Sequence, residues 1–135
     1  MYEHILIGVA PDHAPGSGAA VEIAECLRKK GGRITALTVI EDIPPYVAQY
    51  LPPGQVEKNR AEAEVSLKAE LGGVKGLKAV AVIGQAAASI LDYAETHGVD
   101  CIIIASHRPG LSDYFLGSTA SRVVRHALCS VHVVR

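Results

Sequence analysis

Residues 106–119 read SHRPGLSDYFLGST and hold the densest set of groups able to do chemistry in this chain. Gly117, Ser118 and Thr119 stand just before a helical pattern. The free N–H groups and hydroxyls of such a helix start can all donate to an anion, and the helix dipole adds about 0.3–1 kcal/mol at an exposed site. A glycine at that step lets a ligand approach the backbone closely. The same three residues would serve plain capping, with Ser118 or Thr119 as N-cap. His107 and Arg108 belong to the same segment and turn the reading toward an anion, against the alternative of a solvated arginine and a turn-capping histidine.

Motifs of known chemistry are absent. There is neither a GxxxxGKS/T nor a GxGxxG pattern, and GSG at 16–18 is too short to count as either. Ser106 and His107 are sequence neighbours, so on an extended segment their side chains point apart, and no GxSxG, HExxH or paired-carboxylate motif accompanies them. Asp12 and His13 share one loop and could act as acid and base, although an aspartate in such a loop more often forms a turn. His4 and His132 fall in strand patterns and are expected to be structural, while His126 sits near a helix C-terminus that welcomes positive charge.

The three cysteines, Cys26, Cys101 and Cys129, are odd in number and lack CxxC spacing, so they suggest neither a disulfide framework nor a zinc site. Their apolar neighbours make them expected core residues in a reducing, cytoplasmic setting. The opening MYEHILIGVA has no basic start of a signal peptide, and no apolar run approaches the ~18 residues of a membrane span. The formal charge of −1, with Lys and Arg dispersed along the chain, argues against a nucleic-acid partner. With 49% apolar and 20% charged residues, the 135-residue chain has the composition of one globular domain over 1–135.

The elements that must position these residues alternate along the chain. Runs rich in β-branched residues predict strands at 4–9, 33–40, 78–84, 99–106 and 130–135. Spacings of three and four predict helices at 17–30, with Ala20, Ile23, Ala24 and Leu27 inward, at 55–71, with Val65 and Leu67, at 87–97, with Ile90, Leu91 and Ala94, and at 118–127. Runs 4–9 and 101–104 are apolar throughout, the mark of strands covered on both faces, so the fold class is α/β with a three-layer, doubly wound, five-stranded parallel sheet. Right-handed crossovers put every strand-to-helix loop at the carboxyl edge. Three such loops stand out: 10–19, rich in Gly, Pro and Ser; 41–54, with Tyr46 and Tyr50 four residues apart; and the stretch after strand four. Ligands of open sheets lie where neighbouring strands send their connections to opposite faces, and strands one and four carry the richest loops.

The chain resembles the universal stress proteins from HILIGV through ALTVIEDIPPY and VIGQAAASILDYAETHGVDCIIIAS to FLGSTASRVVRHALCSVHVVR. That closing block is the most specific part. The resemblance implies a Rossmann-like fold with strand order 3-2-1-4-5, and a role in the stress response exercised by binding ATP or AMP, with or without Mg2+. It also implies a homodimer paired through the last strand, with Val131 and Val133 at the contact. The family's ATP signature is Gly, two residues, Gly, nine residues, then Gly followed by Ser or Thr. Here Ala105 and Arg108 replace the first two glycines and eight residues precede Gly117, as in a branch of the family with a short His-Arg-Pro loop. Arg108 can offset the lost glycine by charge-assisted bonds to phosphate.

Carried over by position, adenine and ribose would meet Val9, Ala10, Pro11, Asp12 and Val39, and phosphates would meet Ala105, Ser106, His107, Arg108, Gly117, Ser118 and Thr119. Where the family often has Asp at the end of strand one, this chain has Ala10, leaving Asp12 as the substitute. Tyr46 and Tyr50 are placed to cover the base. Two other readings accompany this one: a nucleotide-free dimeric adaptor, which the missing Asp and Gly allow, and a slow ATP hydrolase in which Asp12 or His107 positions water.

Overall fold

A computed structural model describes residues 1–11, 17–106 and 116–135. Five parallel strands form one sheet in the order β3-β2-β1-β4-β5. The strands are β1 (Tyr2–Val9), β2 (Arg28–Glu41), β3 (Leu77–Gly84), β4 (Cys101–Ala105) and β5 (Ser130–Val134). The helices between them are α1 (Ser17–Leu27), α2 (Pro45–Ala48), α3 (Gln55–Leu71), α4 (Ala86–Thr96) and α5 (Ser118–His126).

β1 and β4 lie at the centre, as their unbroken apolar runs require: Ile5, Leu6 and Ile7 pair with Cys101, Ile102 and Ile103, and all six are buried. Alternation along these strands sends one set of side chains to each face. Ile5, Ile7, Ile34, Ala36, Cys101 and Ile103 pack against Ala20, Val21 and Ala24 of α1 and Leu67 and Leu71 of α3. On the other face Leu6, Leu37, Ile102 and Ile104 meet Ala87, Ile90 and Ala94 of α4 and Ala120 and Val123 of α5. The connection from β1 therefore leaves to one face and that from β4 to the other. Their carboxyl ends flank the switch point that the sequence assigned to this pair of strands.

Three local expectations are corrected. The first helix stops at Leu27 instead of residue 30, because Arg28 already pairs with Tyr2 and its guanidinium donates to the carbonyl of Lys75 at 2.8 Å. The strand register moves from Tyr2↔Arg28 to His4↔Arg33, and the extra residues turn through Gly31, whose φ of 81° favours glycine. Val65 on α3 does not face the core but is 67% exposed, with Leu67 and Leu71 carrying the packing. Cys26 is exposed on α1 and Cys129 half-buried, leaving Cys101 as the one cysteine of the three that is a core residue.

At the amino edge the structure pins β1 with polar contacts. His4 is buried; its Nδ1 lies 3.1 Å from the carbonyl of His97 and its Nε2 lies 2.8 Å from Thr35 Oγ1. A carbonyl can only accept, so Nδ1–H donates to it and Nε2 accepts the Thr35 hydroxyl proton. The Asp100 carboxylate accepts the backbone N–H groups of Glu3 and His4 at 2.9 and 3.0 Å. His4 is thus structural, as its strand position suggested.

Candidate functional site

The site is built from the carboxyl ends of β1, β2 and β4 and the start of α5. β1 ends at Val9, which is buried on the α1–α3 face, and Ala10 and Pro11 follow it into solvent. Val39 of β2 is buried on the opposite, α4–α5 face. The two valines expected beside adenine therefore approach the edge from different sides of the sheet, with Val9 in register with Thr38 rather than with Val39.

On the β4 side the chain leaves through exposed Ala105 and buried Ser106. The N–H of Ser106 donates to the Val134 carbonyl at 2.8 Å, which holds the strand end against β5. The Ser106 carbonyl in turn accepts the N–H of Gly117. This bond joins the two ends of the 106–117 segment, so the exit from β4 and the entrance to α5 lie side by side. Ser106 is buried, and these two bonds take both its N–H and its carbonyl.

The N-cap of α5 is Gly117, with φ −58° and ψ 158°, and among the described residues no side chain caps it. That corrects the expectation of Ser118 or Thr119 as N-cap: both lie inside the helix, Ser118 exposed and Thr119 half-buried. The first turn of a helix carries N–H groups without intrahelical partners, and among the described residues no capping hydroxyl takes one up. The donors and partial positive charge suit a phosphate oxygen. At its other end α5 carries Arg125 and His126 in the last turn, where the Arg125 charge complements the dipole.

Thr38, which sequence reasoning passed over in favour of its neighbour Val39, contributes a buried hydroxyl with no partner among the described residues. The signal for it was a threonine inside the run ALTVI, where every neighbour is apolar. Tyr46 lies on the four-residue α2 and Tyr50 in the turn beyond it, and both rings are well exposed. Asp12, His107 and Arg108 lie outside the described residues. Among the described residues no group of three His, Cys, Asp or Glu side chains gathers as a metal site. No helix there is long and apolar enough to cross a membrane.

The family profile described as the universal stress protein family matches residues 1–135. The chain belongs to that family. A universal stress protein of Thermus aquaticus, encoded beside a sulfhydrylase gene, is 31% identical over 140 residues that cover 100% of both chains. Universal stress protein G of Shigella flexneri is 48% identical over a 44-residue stretch, 33% of this chain and 31% of that relative. Among solved structures, the universal stress protein UspA of Lactobacillus plantarum superposes with a TM-score of 0.77 at 27% identity, covering 99% of this chain and 98% of the other. A universal stress protein solved in complex with cAMP shares the fold, with a TM-score of 0.60 at 19% identity and coverage of 99% and 97%. The five-stranded parallel sheet in the order 3-2-1-4-5 is thus the Rossmann-like arrangement of this universal stress protein's family, as the resemblance implied.

Proposed function

We propose that this universal stress protein binds an adenine nucleotide, ATP or AMP, at the carboxyl edge between β1 and β4 and acts as a nucleotide-responsive regulator in the cytoplasm. The observation that carries the reading is the Gly117-to-Ser106 bond, which sets a helix start with no side-chain cap among the described residues beside the end of β4 at the switch point. Adenine would lie near Val9, Ala10, Pro11 and Val39. The phosphates would lie against Ala105, Ser106 and Gly117 to Thr119, with Asp12, His107 and Arg108 completing the set. With the Gly117 N–H taken by Ser106, the donors left are the backbone N–H groups and hydroxyls of Ser118 and Thr119, chemistry that fits a phosphate with or without Mg2+. A relative with the same fold has been solved with cAMP, which shows that this architecture can hold an adenine nucleotide in another protein.

Isothermal titration calorimetry tests the reading. ATP is expected to bind, and Gly117→Val to weaken it at least tenfold, because a β-branched side chain would stand where the phosphate approaches the backbone. No heat of binding at millimolar ATP would refute it.

A nucleotide-free dimeric adaptor is the second reading, favoured by the β5 edge and by Ala10 where the family often has Asp. Ser106 N–H bonds the Val134 carbonyl, so by alternation the backbone groups of Val131 and Val133 point away from β4. Both valines are half-buried, and the exposed Leu128 and Val124 lie near them in sequence. A homodimer through Val131 and Val133 is compatible with either reading. Native mass spectrometry separates the two: a dimer with retained nucleotide supports the first, and a bare dimer that takes up no added ATP supports the second.

A further inference from the structure

We infer that Arg60 and Glu64 of α3 close the β3 edge of the sheet by standing in for a neighbouring strand, so that a second copy of this chain cannot add to the sheet there. β3 is an edge strand, and an edge strand presents unpaired N–H and C=O groups that template the addition of another chain. The Ile34 N–H donates to the Gly76 carbonyl at 3.2 Å, and the continuous register from Ile34↔Leu77 to Glu41↔Gly84 carries that alternation along the strand. Residues 78, 80 and 82 therefore bond toward β2, while Ala79, Ala81 and Ile83 point their backbone outward.

At Ala81, the middle of these, both outward groups are taken by side chains. Its N–H donates to Glu64 Oε2 at 3.0 Å, and its carbonyl accepts from Arg60 Nη1 at 3.1 Å. The same Arg60 Nη1 and Glu64 Oε2 are 3.0 Å apart, an i,i+4 pair on one helix face. Acceptor and donor are thus presented together, as a strand would present a carbonyl and an N–H, but from ionised groups that make the stronger bonds. The two clamp side chains are about a quarter exposed, at 25% and 26%, whereas Glu57 and Lys68, which flank them along α3, are 63% and 60% exposed. Glu57 grips Arg60 through 2.7 and 2.9 Å contacts to Oε1, which fixes the guanidinium in place. The two edges of the sheet differ accordingly: β3 is closed at its midpoint, and the outward groups of Val131 and Val133 on β5 meet no such pair among the described residues.

Sedimentation velocity across a range of protein concentrations tests the inference on the full chain. The Arg60→Ala/Glu64→Ala variant is expected to form species larger than wild type, their fraction rising on the order of tenfold across the range, as strand addition at an opened edge requires. Glu64→Gln, which keeps an acceptor for the Ala81 N–H, is expected to retain the wild-type distribution. A folded double variant with the wild-type distribution at every concentration would overturn the inference, as would a Glu64→Gln shift as large as that of the double variant. Should the double variant not fold, native-state hydrogen exchange of the wild type decides. An Ala81 amide protected like those of Val80 and Val82 supports the clamp, and one exchanging roughly a hundredfold faster than theirs overturns it.

Discussion

Acidification below pH 6.5 should destabilise this protein through His4. The imidazole is buried between β1, β2 and the α4–β4 connection, and in the neutral form its two nitrogens are both matched: Nδ1–H to the His97 carbonyl and Nε2 to the Thr35 hydroxyl. A proton added at Nε2 would face the Thr35 hydroxyl, which must then turn to accept and leave its own proton without that acceptor. Burial is the main force holding the pKa of His4 below 6.5. Arg33 and the His97 ring push the same way, while the His97 carbonyl and the Asp100 carboxylate oppose them. With the folded pKa depressed, folded and unfolded chains are both neutral well above pH 6.5, and the His4 contribution is complete there. As pH falls through 6.5 the unfolded chain takes up a proton that the folded chain refuses, so stability drops until the folded pKa is reached. One such proton corresponds to a slope approaching about 1.4 kcal/mol per pH unit inside that window. Urea unfolding of wild type and His4→Gln between pH 8 and pH 5 measures it, since the other ionisable groups largely cancel in the difference. The stability advantage of wild type over His4→Gln should shrink steadily below pH 6.5. An advantage that stays constant, or grows, as pH falls would refute the reasoning. Thr35→Val, which strips the hydroxyl from Nε2 at constant volume, should cost about 1–3 kcal/mol at pH 8, the penalty for a buried acceptor left unpaired.

The remaining predictions concern the core and the thiols. Ile102→Ala removes a fully buried side chain from the α4–α5 face of the central strand and should lower the free energy of unfolding by about 2–5 kcal/mol, read from urea denaturation. Thiol alkylation of the native protein at pH 8 should label Cys26 first and Cys101 last, as peptide mass spectrometry would show. Cys26 is exposed, whereas burial pushes the Cys101 thiol up to about 11, leaving on the order of a thousandth of it as thiolate at that pH. Equal labelling of the two would contradict the packing of β4.

The sequence by itself determined the elements and their layering. The runs 4–9 and 101–104 have no polar alternation, and only strands sandwiched between helices can bury both faces, so a doubly wound parallel sheet followed. Right-handed crossovers then fixed which edge carries the loops, and the rich loops after strands one and four pointed to that pair as the switch point. These are properties of local spacing and chirality, which a linear reading contains. Contacts between residues distant in sequence were decided by the tertiary structure. Gly117 looked like the glycine before a Ser or Thr cap, and only the return of the chain to Ser106 made it the cap itself. Apolar neighbours made Cys26 look buried, but in a helix the adjacent residues point elsewhere, and its own direction is outward. His4 could be placed on a strand from its neighbours. Its partners Thr35 and His97, like the grip of Arg60 and Glu64 on Ala81, come from other segments that the sheet order brings together, and hydrogen bonds of that kind leave no periodic trace in a sequence.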